Sequence, residues 1–126
     1  MTRGLLLFAH GARDPRWAEP FEAVRQRVQA SDPSLAVRLA FLEFMTPSLR
    51  EAGDSLAAAG CTRVDVVPLF LGAGGHVRKD LPALLAELSA AHAGVQWQLR
   101  RAIGEVDSVI DAMARAAVSA LNEPLP

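Results

Sequence analysis

The sequence predicts an α/β domain with a small, mainly parallel sheet, because strand-like and helix-like patterns alternate four times along the chain. Two of the strand-like runs, the first and the third, are almost continuously apolar, as is typical of strands covered on both faces. Right-handed crossovers between such units give a three-layer domain. The four predicted strands are Leu5 to Ala9, Val37 to Leu42, Val64 to Leu71, and Val95 to Leu99.

The segments between these runs carry apolar residues at helical spacing. Pro20 predicts that the first helix begins near Glu19, which leaves residues 11–18 as a loop. The second helix is expected to start after Thr46 as N-cap and to end at Gly60 in a left-handed C-terminal cap. The apolar faces are Phe21, Val24 and Val28; Leu49, Ala52, Leu56 and Ala59; Leu81, Leu84, Leu85 and Leu88; and Val106, Val109, Ile110, Met113, Ala117 and Leu121.

Length and composition indicate one core. We expect residues 1–121 of the 126 to form a single domain and residues 122–126 to be a flexible tail. With 13 basic and 14 acidic residues, the chain has no general attraction to nucleic acid or membranes. The apolar opening is too short for a signal-peptide core, and the single cysteine, Cys61, cannot form an internal disulfide. A cytoplasmic protein with a buried thiol is therefore expected.

Three residues with metal-binding or acid–base chemistry follow predicted strands. His10 comes directly after the first strand, Glu43 ends the second, and His76 follows the third across a glycine-rich loop. Because parallel strands end at the same edge of a sheet, these side chains are expected to face one cleft. Two imidazoles and a carboxylate can bind a first-row divalent metal, and a neutral imidazole can also accept a proton.

Each of these residues also has a structural interpretation. A histidine after a buried strand can simply hydrogen-bond the backbone of a loop. Glu43 lies between Leu42 and Phe44, where an unpaired carboxylate would be costly, so either a structural partner or a ligand is expected. His92, near a helix end, is interpreted as a partner of the helix dipole, without chemistry.

Three blocks of the chain together resemble a known family. His-Gly-Ala-Arg-Asp-Pro at 10–15, Phe-Leu-Glu-Phe with Pro-Ser-Leu within 41–49, and Val-Pro-Leu-Phe-Leu-Gly through Gly-His-Val-Arg-Lys-Asp-Leu-Pro within 67–82 look like the small class II sirohydrochlorin chelatases. These enzymes insert cobalt or ferrous iron into sirohydrochlorin during cobalamin or siroheme synthesis, and a nickel-inserting relative exists. The likeness spans residues 4–90 and weakens after Val95.

The resemblance implies a chelatase-like α/β fold in which His10 and His76 handle the metal and accept protons. It also implies a homodimer, because longer relatives place two such halves around one tetrapyrrole cleft. The divalent metal is then a substrate, and no permanent organic cofactor is expected. Two positions depart from the family pattern. Ala12 replaces the usual serine after His-Gly, and Met45-Thr46 stands where a small residue and an acid are common.

The residues themselves fit metal insertion, which needs exchangeable ligands and a base effective near neutral pH. Arg13, Arg78 and Lys79 flank the histidines and are candidate partners for the carboxylates of sirohydrochlorin, with solvated surface charge as the alternative. A non-catalytic metal or tetrapyrrole carrier and a metal-dependent hydrolase that uses Glu43 as a ligand stay open. Imidazole accepts cobalt, iron, nickel and zinc alike, so the physiological metal and the pathway are not predicted.

The expected dimer has a predicted interface. One small domain supplies a single wall of a cleft for a macrocycle, and a second copy related by a two-fold axis would supply the other. The apolar residues expected at this interface, close to the carboxyl edge, are Phe44, Met45 and Leu71.

Overall fold

One sheet of four parallel strands organises the part of the chain that the structure, a computed structural model, describes. The described residues are 2–72 and 74–126, without the side chains of His76 and Val77. The strands stand in the order β2–β1–β3–β4, with Ala9 opposite Phe41 and Phe8 opposite Pro68. They are β1 (Thr2–Ala9), β2 (Ala36–Phe41), β3 (Cys61–Pro68) and β4 (Gln96–Leu99). The parallel sheet predicted from the apolar runs is confirmed.

Helices cover both faces of this sheet, which confirms the three layers. The helices are α1 (Glu19–Ser31), α2 (Leu49–Ala58), α3 (Gly75–Ala91) and α4 (Asp107–Ala120). On one face, Leu6 and Phe8 of β1 pack in a buried cluster with Leu56 of α2 and Leu88 of α3. On the other face, the cluster around Leu7 and Ala9 packs against α1. Because β1 lies in the middle of the sheet and alternates its side chains between the faces, it contributes to both cores.

The helix ends follow local capping chemistry. α1 begins at Glu19 as predicted, but part of the expected loop before it forms a short 3-10 turn, Pro15–Ala18. The predicted start of α2 at Thr46 is wrong by two residues, because Ser48 is the N-cap. Its hydroxyl accepts a hydrogen bond from the backbone N–H of Glu51 at 3.1 Å, and the Glu51 carboxylate accepts one from the N–H of Ser48 at 3.0 Å. This reciprocal pair satisfies two N–H groups that a helix start leaves free.

The C-terminal cap of α2 agrees with the sequence prediction. Gly60 adopts a left-handed conformation with φ of +89°, one residue beyond the C-cap Ala59. The third strand, in contrast, lies three residues earlier than predicted. β3 begins at Cys61, opposite Thr2, and ends at Pro68. The polar residues Thr62 and Arg63 therefore belong to the strand, although they break the apolar pattern.

The C-terminal helix α4 has the predicted apolar face, but only Val106 and Val109 at its start are half-buried. All residues from Ile110 to Pro126 are exposed, including Met113, Val118 and Leu121. The main contacts of α4 are with the short 3-10 turn that precedes it, Ile103–Glu105. Among the described residues, no helix is both long and apolar enough to cross a membrane.

Several ionisable groups have structural partners away from the carboxyl edge. Cys61 is buried, and burial raises the pKa of its thiol. The His92 ring at the end of α3 lies 2.6 Å from a carboxylate oxygen of Asp54, a hydrogen bond that lowers the pKa of Asp54. Burial raises the pKa of Asp65 on β3, but hydrogen bonds from Arg3 at 2.8 Å and Arg63 at 3.4 Å outweigh burial and leave it below the usual range.

Candidate functional site

The carboxyl edge of the sheet brings together the segments that follow all four strands. Backbone hydrogen bonds extend beyond the ends of the strands. Leu42 donates to Ala9, Glu43 donates to His10, and Leu69 donates to Phe8, at 2.9, 3.0 and 2.7 Å. On the other side, Arg100 donates to the carbonyl of Val66 at 2.9 Å. The segments that carry His10, Glu43 and Arg100 are therefore fixed to one another through the backbone.

His10 is exposed at this edge, directly after the central strand. Its ring stacks on Phe70, with the centroids 4.1 Å apart and the planes 29° apart. Phe70 is itself buried and packs against Phe8. Among the described residues, no side chain forms a hydrogen bond with the nitrogens of His10. The ring is thus held on one face while its nitrogens remain available to a metal or a proton.

The loop after His10 presses against the end of β2. Gly11 has φ of +92°, a backbone conformation that residues with a Cβ rarely adopt. A Cβ at this position would also overlap the carbonyl oxygen of Glu43. Phe44 also has a positive φ, of 65°, and its ring is 59% exposed. These two unusual conformations form the turn that places His10 beside Glu43.

The expectation that Glu43 sits in an apolar environment is wrong. The residue is exposed, since the chain leaves the sheet at Leu42 and turns at Phe44. Its carboxylate stays in water and needs no structural partner, and within the described residues it has no side-chain hydrogen bond. An exposed carboxylate next to His10 is free to interact with a ligand.

His76 occupies the first turn of α3, which follows β3, the neighbour of β1 in the sheet. Its side chain lies outside the described residues, so the prediction that it faces His10 stays a prediction. Apart from that side chain, the described residues contain no group of three or more His, Cys, Asp or Glu residues arranged to hold a metal ion.

The three predicted basic residues have different surroundings. The guanidinium of Arg13 lies over the ring of Phe44, 5.0 Å from its centroid, so it remains at the edge beside His10. Arg78 is 3.6 Å from the carboxylate of Glu105, an ion pair between two exposed side chains that the sequence analysis did not predict. Lys79 is exposed on α3.

Two clefts where β3 and β4 end complete the edge. One, of about 470 Å³, is lined by Val67, Leu99, Arg100, Arg101, Ile103 and Val106. The other, of about 210 Å³, is lined by residues that include Arg78, Arg100 and Glu105. No motif in the sequence marks the two consecutive arginines, and their position directly after a predicted strand is the one signal that could have found them.

A parallel α/β sheet with an exposed histidine after its central strand places this protein among the chelatase-like α/β proteins. A model of the CbiX family matches residues 4–120, and the chain belongs to that family. The crystal structure of a protein named as a cobalamin (vitamin B12) biosynthesis CbiX protein, from Marinobacter aquaeolei VT8, is similar with a TM-score of 0.83 and 35% identity. That similarity covers 95% of this chain and 98% of the other.

This chain is similar to one further protein in sequence and to another in fold. The sirohydrochlorin cobaltochelatase of Saccharolobus solfataricus is 38% identical over 82 residues, which are 65% of this chain and 62% of the relative. The chain thus matches less than two thirds of that relative's length. The sirohydrochlorin chelatase SirB of Bacillus subtilis subspecies spizizenii, solved with cobalt, shares the fold with a TM-score of 0.82 at 22% identity. Here 94% of this chain matches 51% of SirB.

Proposed function

We propose that this protein inserts a divalent metal, cobalt or ferrous iron, into sirohydrochlorin in cobalamin or siroheme biosynthesis. The observation that carries the proposal is the exposed His10 ring, stacked on Phe70 with its nitrogens unpaired by described side chains. Membership of the CbiX family supports it, as do the relatives named sirohydrochlorin cobaltochelatase. Metal and tetrapyrrole are both substrates of this reaction.

The chemistry of insertion assigns His10 two tasks. The metal must lose bound water, and two pyrrole nitrogens must lose their protons before they bind it. A neutral imidazole is an exchangeable ligand for divalent first-row metals and a base effective near neutral pH. We assign the first contact with the metal and the acceptance of a pyrrole proton to His10 together with His76, which follows the adjacent strand.

Glu43 assists this pair in the proposal. The backbone N–H of Glu43 donates a hydrogen bond to the backbone carbonyl of His10, and the Glu43 carboxylate is exposed. This carboxylate can therefore reach a metal that the imidazole of His10 binds. A carboxylate favours the incoming cation and is also exchangeable, in contrast to the closed ligand sets of structural metal sites. We therefore assign metal delivery, rather than tight storage, to Glu43.

Arg13 and Lys79 are proposed to bind peripheral carboxylates of sirohydrochlorin. Arg13 lies beside the His10 loop, against Phe44, and Lys79 is in the first two turns of α3. Arg78 has the same proposed role, in competition with its ion pair to Glu105. Charge-assisted hydrogen bonds of this kind orient a polycarboxylate while leaving its macrocycle free for metal exchange.

The proposal includes a homodimer that works in the cytoplasm. The match to about half of SirB supports the view that one copy of this chain forms one wall of the cleft. Phe44 and Leu71, at 59% and 73% exposure, provide apolar surface next to His10, as expected for the interface of a second copy. Met45, which follows Phe44, is half-buried and packs against the cluster around Leu7 and Ala9.

Spectroscopy of the purified protein with sirohydrochlorin and either Co²⁺ or Fe²⁺ tests this function. A chelatase converts many equivalents of sirohydrochlorin, seen as a change in its absorption spectrum above the rate without protein. A carrier would bind one equivalent and stop, and a metal-dependent hydrolase would contain metal on purification and ignore the tetrapyrrole. Either of these results would contradict the proposal.

A further inference from the structure

We propose that Arg100 and Arg101 form a binding site for carboxylate side chains of the tetrapyrrole, at the end of the sheet opposite to Glu43. The identity of the macrocycle rests on the proposed function, whereas the carboxylate chemistry rests on the cleft itself. Neither arginine belongs to the three blocks that resemble the chelatases, because both follow β4 and the last block ends at residue 82.

The lining of the cleft combines apolar and cationic residues. Val67, Ile103 and Val106 line the cavity of about 470 Å³ together with Arg100 and Arg101. Arg100 and Leu99 also line the cavity of about 210 Å³, so the two cavities are neighbours. An apolar surface bordered by arginines suits the edge of a hydrophobic ring that carries acidic side chains.

Both arginines also lack a partner among the described side chains. Within the part of the chain that the structure describes, neither guanidinium has an ion pair or a side-chain hydrogen bond. Arg78, which lines the smaller cavity together with Arg100, is in contrast paired with Glu105 at 3.6 Å. Because the whole chain has a net charge of −1, two adjacent unpaired arginines are a local concentration of positive charge. An anion bound here would interact with two guanidinium groups whose charge is not already neutralised by a described carboxylate.

The position of the cleft suits a ligand that also reaches His10. β4 is separated from β1 by β3 alone, and two strand spacings amount to about 10 Å. A macrocycle lying across the carboxyl edge can therefore present its metal-binding centre toward β1 and peripheral carboxylates toward β4. Small anions such as phosphate would not bridge this distance, so we commit to a polycarboxylate macrocycle as the occupant.

The test compares Arg100→Gln/Arg101→Gln with the wild-type chain and with Arg27→Gln, an exposed arginine on α1. Binding of metal-free sirohydrochlorin is titrated by absorbance, and metal insertion is followed under saturating tetrapyrrole. We expect the double variant to bind on the order of 10- to 100-fold more weakly, as loss of charge-assisted hydrogen bonds predicts. Its kcat should stay within about twofold of wild type, because proton acceptance remains with His10. Arg27→Gln should match wild type in both measurements.

Two further readouts separate charge recognition from a loss of structure. Salt should weaken binding to the wild-type chain more steeply than binding to the double variant, because exposed charges are screened. Glu105→Gln should tighten binding, since it removes a negative charge from the cleft and releases Arg78. Unchanged affinity in the double variant, or weaker binding in Glu105→Gln, would overturn the proposal.

A second probe distinguishes this proposal from the proposed function. Uroporphyrin I is a fluorescent macrocycle with the same kind of peripheral carboxylates, and its binding requires no metal insertion. If the wild-type chain binds it, the double variant binds it weakly, and sirohydrochlorin is never metallated, the arginine site stands and the chelatase function fails. If neither macrocycle binds the wild-type chain, or both bind the double variant equally well, the arginine site is wrong.

Discussion

The imidazole of His10 stacks on the buried ring of Phe70, with 4.1 Å between the two centroids and 29° between the planes. His10 follows β1, and Phe70 lies between β3 and α3, the helix whose first turn contains His76. The stacked pair therefore connects the two segments that carry the predicted metal-handling histidines. Movement of either segment would change the orientation of the exposed ring.

Substitution of either histidine should abolish most of the activity. We expect His10→Ala and His76→Ala each to lower the rate of metal insertion on the order of 100-fold or more, because each removes a ligand and a proton acceptor. His10 is exposed and loses only its stacking contact with Phe70, so its variant should stay within about 1 kcal/mol of the wild-type unfolding free energy. The measurement is sirohydrochlorin turnover alongside urea denaturation.

His92→Ala is the matched control for these variants. It removes the hydrogen bond to Asp54, away from the carboxyl edge, and should lower stability by about 1 kcal/mol while leaving turnover intact. Near-normal turnover in both His10→Ala and His76→Ala would refute the assignment of the pair.

Phe70→Leu tests whether the stacking contact positions His10. The smaller side chain keeps an apolar core residue but removes the flat surface under the imidazole, and we expect a loss of about 1 to 2 kcal/mol in stability. The rate constant kcat should fall roughly threefold to tenfold with little change in KM, because binding contacts are untouched. Phe21→Leu, on α1 and on the opposite face of the sheet, should lose stability without a change in kcat.

Glu43→Gln should impair metal delivery without weakening the fold. The carboxylate is exposed, so the substitution should leave the unfolding free energy within about 0.5 kcal/mol of wild type. We expect a loss of about tenfold in turnover at low metal concentration, with unchanged binding of metal-free sirohydrochlorin. Unchanged turnover at limiting metal would rule out a role for Glu43.

The pair of Asp65 with Arg3 should make stability depend on acid pH. The folded-state pKa of Asp65 lies below its unfolded value of about 3.9, so the carboxylate contributes stability that is present above that value. This contribution is lost as the pH falls through the lower folded-state pKa. Asp65→Asn should therefore be less stable than wild type by about 1 to 2 kcal/mol at pH 7. Denaturation series from pH 7 to pH 2.5 should show this difference shrinking at the acid end, and a constant difference would contradict the linkage.

The active unit is expected to be a dimer. Leu71→Glu places a charge on apolar surface that is 73% exposed, and it should shift the protein toward monomer in sedimentation and lower turnover in parallel. Leu125→Glu, at a position that is 94% exposed near the chain end, should change neither property. A wild-type chain that is strictly monomeric and fully active would refute the shared cleft while leaving the histidine chemistry untouched.

Sequence patterns predicted the layers better than the boundaries. The apolar runs ending at Ala9 and containing Val64 identified two central strands, since only strands buried on both faces need such composition. The boundaries of α2 and β3 were wrong because local chemistry decides them. For α2, the Ser48 and Glu51 capping pair was visible in the sequence as Ser-x-x-Glu and was the better signal.

The sequence predicted those site residues whose position depends only on the parallel arrangement of the strands. His10 at the carboxyl edge follows from a parallel sheet, but the exposure of Glu43 depends on the left-handed turn at Phe44, which no periodic pattern reveals. Helical spacing likewise gave α4 an apolar face without showing that Ile110 and Met113 stay 44% and 39% exposed. Arg100 and Arg101 belong to no motif, and only the folded chain shows that they line a cavity beside β4.

The ion pair between Arg3 and Asp65 also bears on how β1 finds its correct alignment. Residues 5–8 of β1 are all apolar, so sliding the strand by two positions along β3 would keep each side chain on the same face against apolar neighbours. Hydrophobic burial alone therefore discriminates weakly between the correct and the shifted pairing. In a shifted sheet the buried carboxylate would keep Arg63, its neighbour on β3, but would lose the shorter hydrogen bond from Arg3, which is costly for a charge with little access to water. We expect this polar contact to act mainly against misaligned folding, with Arg3→Leu raising the yield of misfolded, aggregation-prone chains more than it lowers the melting temperature.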